Sequence, residues 1–82
     1  MKDNKLVIVK AEYKTSNKSY DVTEKLKKMV SKNQLTITAG NQLAGDPEYG
    51  VLKILEIQYR FGESSIEIMR IPENETKTIA KE

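Results

Sequence analysis

The side chains most used for chemistry near neutral pH are missing from this chain. Its 82 residues include no histidine and no cysteine. That removes the usual general base, the commonest metal ligand and the thiolate nucleophile together. Ser/His/Asp, Cys/His and zinc-water mechanisms are therefore excluded, which leaves carboxylate, lysine, tyrosine and hard-cation chemistry. Glu56 and Glu67 form a carboxylate pair that neighbouring strands could bring close. Scattered glutamates on a solvent-facing sheet side are the commoner occurrence, however, and so small a domain has little depth for a pocket. Asp21 invites a catalytic or metal reading, but its spacing to Glu24 is that of a helix cap. The expectation is a protein that is not an enzyme and carries no cofactor.

The stretch Asn41-Gln42-Leu43-Ala44-Gly45-Asp46-Pro47-Glu48-Tyr49-Gly50 is the strongest candidate for recognition. Gly40, Gly45 and Gly50 recur at intervals of five, each able to take a positive φ at little steric cost. Gly45-Asp46-Pro47 starts a turn, because Asp bonds backbone amides two residues on and Pro47 fixes φ. Ten residues exceed the usual hairpin connection, and such loops are functional or structured by their own contacts. Three readings follow. First, the segment is a shape-determining crossover in which Asn41 and Asp46 hold its backbone and Tyr49 packs on the core. Second, Tyr49 beside Asn41, Gln42, Asp46 and Glu48 makes a recognition surface for a protein or a glycan. Third, Asp46, Glu48 and Asn41 hold calcium; two carboxylates without EF-hand spacing fall short of the six to eight oxygens needed, so no metal site is expected.

These residues need a scaffold, and composition limits what it can be. The chain is long enough for one domain, with a core over about residues 5–73 and a frayed strand or tail at 74–82. The net charge is +2, unevenly spread: residues 1–32 hold nine lysines against four acids, and residues 33–82 hold five basic residues against eight acids. Lysine without interleaved aromatics describes a solvated surface and argues against a nucleic-acid partner. Met1-Lys2-Asp3-Asn4-Lys5 followed by Leu6-Val7-Ile8-Val9 is too polar and too short for a signal peptide. No stretch approaches the roughly 20 apolar residues of a membrane span. Cytoplasmic placement without membrane insertion is the corresponding expectation for the chain as given.

Periodicity places the elements. Leu6 to Tyr13 reads as a strand with Val7, Val9, Ala11 and Tyr13 on one face, and Leu6 and Ile8 on the other. Lys14 to Ser19 reads as a polar loop. Asp21-Val22-Thr23-Glu24 has the form of a capping box, with Glu24 reaching back to the chain entering the helix. Val22, Leu26, Met29 and Val30 then make one apolar helical stripe, ended near Asn33. Leu35-Thr36-Ile37-Thr38 is a short strand with Leu35 and Ile37 inward. Val51, Leu55, Ile57, Tyr59 and Phe61 line one face of the best strand, with Lys53 the exception. Gly62-Glu63 suits a type II′ hairpin turn. Pairing Phe61 with Ser64 then sets Tyr59 against Ile66 and Ile57 against Ile68, leaving Met69 and Ile71 on the opposite face with Leu52 and Ile54. Pro72 to Glu75 reads as a turn, and Thr76 to Ala80 as a solvated edge strand.

The order of these features resembles a family of domains of unknown function, found at the C-terminus of the mitochondrial J-protein described as DnaJ subfamily C member eleven and in small bacterial relatives. The resemblance rests on Asp21-Val22-Thr23 with Leu26 and Val30, on Gln34-Leu35-Thr36-Ile37, on Asn41, Leu43, Gly45-Asp46-Pro47 and Gly50, and on Lys53, Leu55, Ile57, Tyr59, Gly62 and Ile71-Pro72. It covers about residues 5–73. It departs at Tyr13-Lys14, where bacterial copies have Tyr-Gly, and the His-Pro-Asp motif of a J-domain is absent. What it implies is a compact accessory domain without established catalytic residues.

The fold expected is mainly β, a small antiparallel two-layer sandwich-like domain with one short helix; the alternative is an α+β layer of one antiparallel sheet packed by the helix. The expected function is a non-catalytic protein-interaction or assembly module, acting on another protein or by self-association. The alternative is a carbohydrate-binding accessory using the 41–50 segment. Asp21, Glu24, Gly45, Pro47, Gly50 and Gly62 are the residues expected to hold the structure.

Overall fold

The computed structural model describes residues 5–40 and 52–80. The elements in chain order are β1 (Leu6–Lys14), β2 (Ser19–Asp21), α1 (Thr23–Met29), β3 (Leu35–Thr38), β4 (Ile54–Phe61), β5 (Glu67–Pro72) and β6 (Thr76–Ile79). β2, β1, β4 and β5 form one antiparallel sheet in that order, and β3 pairs with β6 in a second. The protein is mainly β, with one helix among the described residues. Leu6, Ile8, Ala11, Tyr13, Leu55, Ile57 and Ile71 of the large sheet are buried in one cluster with Leu35, Ile37 and Ile79 of the small sheet and with Val22 and Leu26 at the helix. The core lies between the large sheet and a layer made of the small sheet and helix.

β1 departs from simple alternation at one residue. Ile8 pairs with Tyr59 and Lys10 with Gln58, so Val9 is an extra residue in the strand. A bulge of this kind restarts the alternation. Leu6 and Ile8 before it, and Ala11 and Tyr13 after it, all face inward. The expected grouping of Val7 and Val9 with Ala11 and Tyr13 is therefore corrected: Val9 is exposed and Val7 only half-buried. The polar loop ends earlier than expected, because Ser19–Asp21 pairs back onto Glu12–Lys14 as β2.

The entry to α1 uses Asp21 differently from a capping box. The Asp21 carboxylate accepts hydrogen bonds from the Thr23 amide at 2.8 Å and the Thr23 hydroxyl at 2.5 Å. The Thr23 oxygen in turn accepts from the amide of Ala11 at 2.9 Å, and the Val22 amide donates to the Ala11 carbonyl at 2.9 Å. The first helical residue thus continues the ladder that β2 began. Glu24 does not reach back; its exposed side chain faces Lys27 at 3.3 Å. Met29, expected in the apolar stripe, is exposed. The helix also stops at Met29 rather than near Asn33. Lys32 and Asn33 have φ of 53° and 61°, and Ser31 and Gln34 exchange backbone hydrogen bonds across them. That geometry is a two-residue type I′ turn.

The β4–β5 hairpin contains the largest correction. Its turn is of the expected kind: Gly62 has φ 58°, and the Ser64 amide donates to the Phe61 carbonyl at 3.0 Å. The strands nevertheless pair Tyr59 with Glu67, Ile57 with Met69 and Leu55 with Ile71. One residue is therefore inserted between Ser64 and the ladder, and a shift of one exchanges the faces of the whole returning strand. Ile71 is buried and Met69 packs against the core, while Ile66 and Ile68 are exposed.

The chain crosses between the two layers at the Pro72–Glu75 turn. The Glu75 amide donates to the Pro72 carbonyl at 3.1 Å, and Asn74 takes a positive φ of 73°. The same turn holds both neighbouring strand ends. The Ala39 amide donates to Glu75, the Asn74 amide to Ala39, and the Glu73 amide to Lys53. β6 is better anchored than a frayed tail, since Ile79 lies opposite Leu35 and is buried.

Candidate interaction surface

The residues singled out for binding, Asn41, Gln42, Asp46, Glu48 and Tyr49, lie outside the described residues, as do Gly45, Pro47 and Gly50. The calcium and glycan readings fall on that segment. What is described is its base: Ala39 and Gly40 at one end and Lys53 near the other are buried. Lys53 is only 3% exposed. Its ammonium stands 4.0 Å from the Glu73 carboxylate, which also accepts from the Lys53 amide at 3.3 Å. A buried ammonium requires such compensation. Lys53, which precedes β4 and breaks the apolar alternation running into it, is thus a charged anchor at the layer junction.

Glu56 and Glu67 do not come together. Glu67 pairs with Tyr59 on the face turned toward the core, whereas Glu56 lies opposite Arg70 on the outer face of the large sheet. That outer face carries a cross-strand ion ladder. Lys14 meets Glu56 at 2.5 Å and Glu12 at 3.7 Å; Lys10 meets Glu12 at 3.6 Å and Arg70 meets Glu56 at 3.6 Å. Glu12 and Glu56 are direct cross-strand neighbours and would repel. Interleaving Lys10, Lys14 and Arg70 among them reverses that balance.

The titration behaviour follows the contacts. The hydrogen bond from Lys14 holds the Glu56 carboxyl below its ordinary value against the opposing effect of desolvation, with the positive charges of Lys14, Arg70 and Lys10 adding to it. The same hydrogen bond raises Lys14. Asp21 is lowered by the hydrogen bonds from the Thr23 hydroxyl and amide. Tyr59, on the core side, is raised by burial and then by the charge of Glu67.

Apolar side chains flank the ladder. Ile54 lies opposite Pro72 at one end of the β4–β5 pair. At the other end, Ile68 on β5 lies opposite Gln58, the bulged Val9 of β1 precedes Lys10 on the far side of Gln58, and Ile66 just precedes β5. Ile54, Ile66 and Ile68 are 40%, 50% and 52% exposed. The outer face therefore carries exposed apolar side chains at both ends of the ladder, interleaved with Lys14 at one end and with Lys10, Gln58 and Arg60 at the other. The register expected from the hairpin turn places Met69 and Ile71 on this face, and the one-residue shift turns them into the core. β5 is the edge of the large sheet. The Glu73 amide points toward β4, so the alternation directs the Pro72 nitrogen outward, where a missing donor blunts the edge.

No helix among the described residues is long and apolar enough to cross a membrane. No protein-family model, no curated protein and no solved structure matches the chain.

Proposed function

We propose that this chain is a non-catalytic interaction and assembly module whose working surface is the outer face of the large sheet. The observation that carries this reading is the exposure of Ile54, Ile66 and Ile68 beside an ordered ion ladder. Scattered surface aliphatics are ordinary; several on one sheet face around fixed charges resemble the apolar-and-polar anatomy of protein interfaces. The ladder supplies orientation and register, and the isoleucines supply area removed from water. The blunted β5 edge favours contact through the face over strand addition. The resemblance to the J-protein-associated domain family points the same way, because it implies an accessory domain without catalytic residues.

Sedimentation equilibrium over a wide concentration range tests this reading. Self-assembly predicts a mass rising above 9.4 kDa, with the rise abolished by the double substitution Ile66→Ser/Ile68→Ser. A mass that stays monomeric to about 1 mM, the weak limit of a recognisable contact, counts against self-assembly. An oligomer unaffected by the double substitution removes this face from consideration.

A further inference from the structure

A second feature lies away from the outer face, where the start of β1 meets the end of α1. Lys5, Leu6, Val7 and Ile8 on one side, and Lys27, Val30, Lys32 and Asn33 on the other, line a cleft of about 550 Å³. That volume lies within the range typical of small-molecule sites, roughly 300–1,000 Å³. The lining has two chemical parts. Half-buried Val7 and Val30 supply the accessible apolar surface, and Leu6 and Ile8 lie behind it in the buried core. Lys5, Lys27 and Lys32 supply three ammonium groups, and Asn33 adds an amide.

We infer that this cleft is a binding site for a small amphiphilic anion, with the apolar body against Val7, Val30 and the lysine stems and the anionic head among Lys27, Lys32 and Asn33. Several observations select this class. Among the described residues no carboxylate lines the cleft, which disfavours a cation as its occupant. The described lining also lacks arginine and aromatic residues, which disfavours bidentate phosphate clamping and base stacking. Long lysine stems pack along apolar walls while their ammonium groups stay at the rim. The type I′ turn fixes the Lys32 and Asn33 backbone, with φ of 53° and 61°, so two of the polar groups start from a rigid base. Lys27 contacts Glu24 at 3.3 Å, but both side chains are well exposed, and exposed pairs of this kind are weak competitors for an incoming anion.

The probe is 1-anilinonaphthalene-8-sulfonate, an aromatic body with one sulfonate, compared with neutral N-phenyl-1-naphthylamine. Titration is followed by fluorescence and by backbone amide shifts of the folded protein. The expected result is saturable one-to-one binding that shifts amides in residues 5–8 and 27–33, with weaker binding of the neutral analogue. Lys27→Glu/Lys32→Glu should weaken the anion by about ten-fold, while Lys18→Glu in the distant β1–β2 loop leaves affinity unchanged. Val30→Phe, which fills the cleft, should abolish binding while the amide spectrum remains dispersed. Equal affinity for the two probes, shifts centred on Ile66 and Ile68, or undiminished binding by the charge-reversed variant would overturn the assignment. Capture by phosphatidylglycerol vesicles without binding of the free sulfonate would overturn it as well.

Discussion

Thr23 shows how much one hydroxyl can organise. Its oxygen accepts from the buried amide of Ala11, and its proton goes to Asp21, which joins a strand, a short return strand and the helix start. Thr23→Val keeps the shape but leaves the Ala11 donor unpaired, and chemical denaturation should show a loss of about 1–3 kcal/mol. Glu24→Ala should change stability by less than about 0.5 kcal/mol, since Glu24 is exposed and caps nothing. A capping box would make Glu24 count. Lys53 offers a second test at this scale. Glu73→Ala takes a carboxylate away from a buried ammonium and should cost about 3 kcal/mol, whereas the double change Lys53→Met/Glu73→Leu replaces the pair with apolar chains and should be near neutral. Comparable losses from both would show that the ion contact itself is strongly stabilising.

At the scale of elements, two insertions of one residue decide the faces. The extra Val9 lets Leu6 and Ile8 join Ala11 and Tyr13 on the core side of β1. The extra residue after Ser64 turns Met69 and Ile71 inward and Ile66 and Ile68 outward. The consequence is measurable in β5. Ile71→Ala should destabilise by about 2–5 kcal/mol through a cavity in the core, and Ile68→Thr should stay within about 0.5 kcal/mol. The register expected from the hairpin turn alone predicts the reverse order. Strand periods, the Gly62 turn and the Pro72–Glu75 turn were all legible in the chain, because each depends on neighbours within a few residues. The insertions were not, because a bulge is chosen by the partner strand and by the core that both must fill.

The whole molecule titrates mainly outside the neutral range, since no histidine is present. Asp21 and Glu56 are both lowered by the hydrogen bonds they accept. A carboxyl lowered in the folded state stabilises that state above its unfolded value, and the contribution is lost as pH falls through the folded one. Melting temperature should therefore be level from about pH 6 to 8 and decline below about pH 4. The double variant Asp21→Asn/Glu56→Gln should be less stable at neutrality, with a shallower acid slope. Lys14 is raised, so its contribution is present below the ordinary lysine value and fades in strong alkali. An unchanged acid slope in the double variant would assign the acid response to other carboxyls.

The sequence by itself determined the class of object: a mainly β domain with one helix, whose lack of histidine and cysteine removes whole families of mechanism. Turn residues such as Gly62 and Pro72 are local and report local geometry, whereas alternation does so only until a bulge such as Val9 interrupts it. Only the tertiary structure decided which isoleucines meet water, that Lys53 is an interior charge, and that the base of the 41–50 segment is held by the distant Glu73–Glu75 turn. Each of those outcomes depends on a contact between residues far apart in the chain. A one-residue shift costs little in local preference, yet it exchanges core for surface along an entire strand. The choice is therefore made by the packing of the two layers.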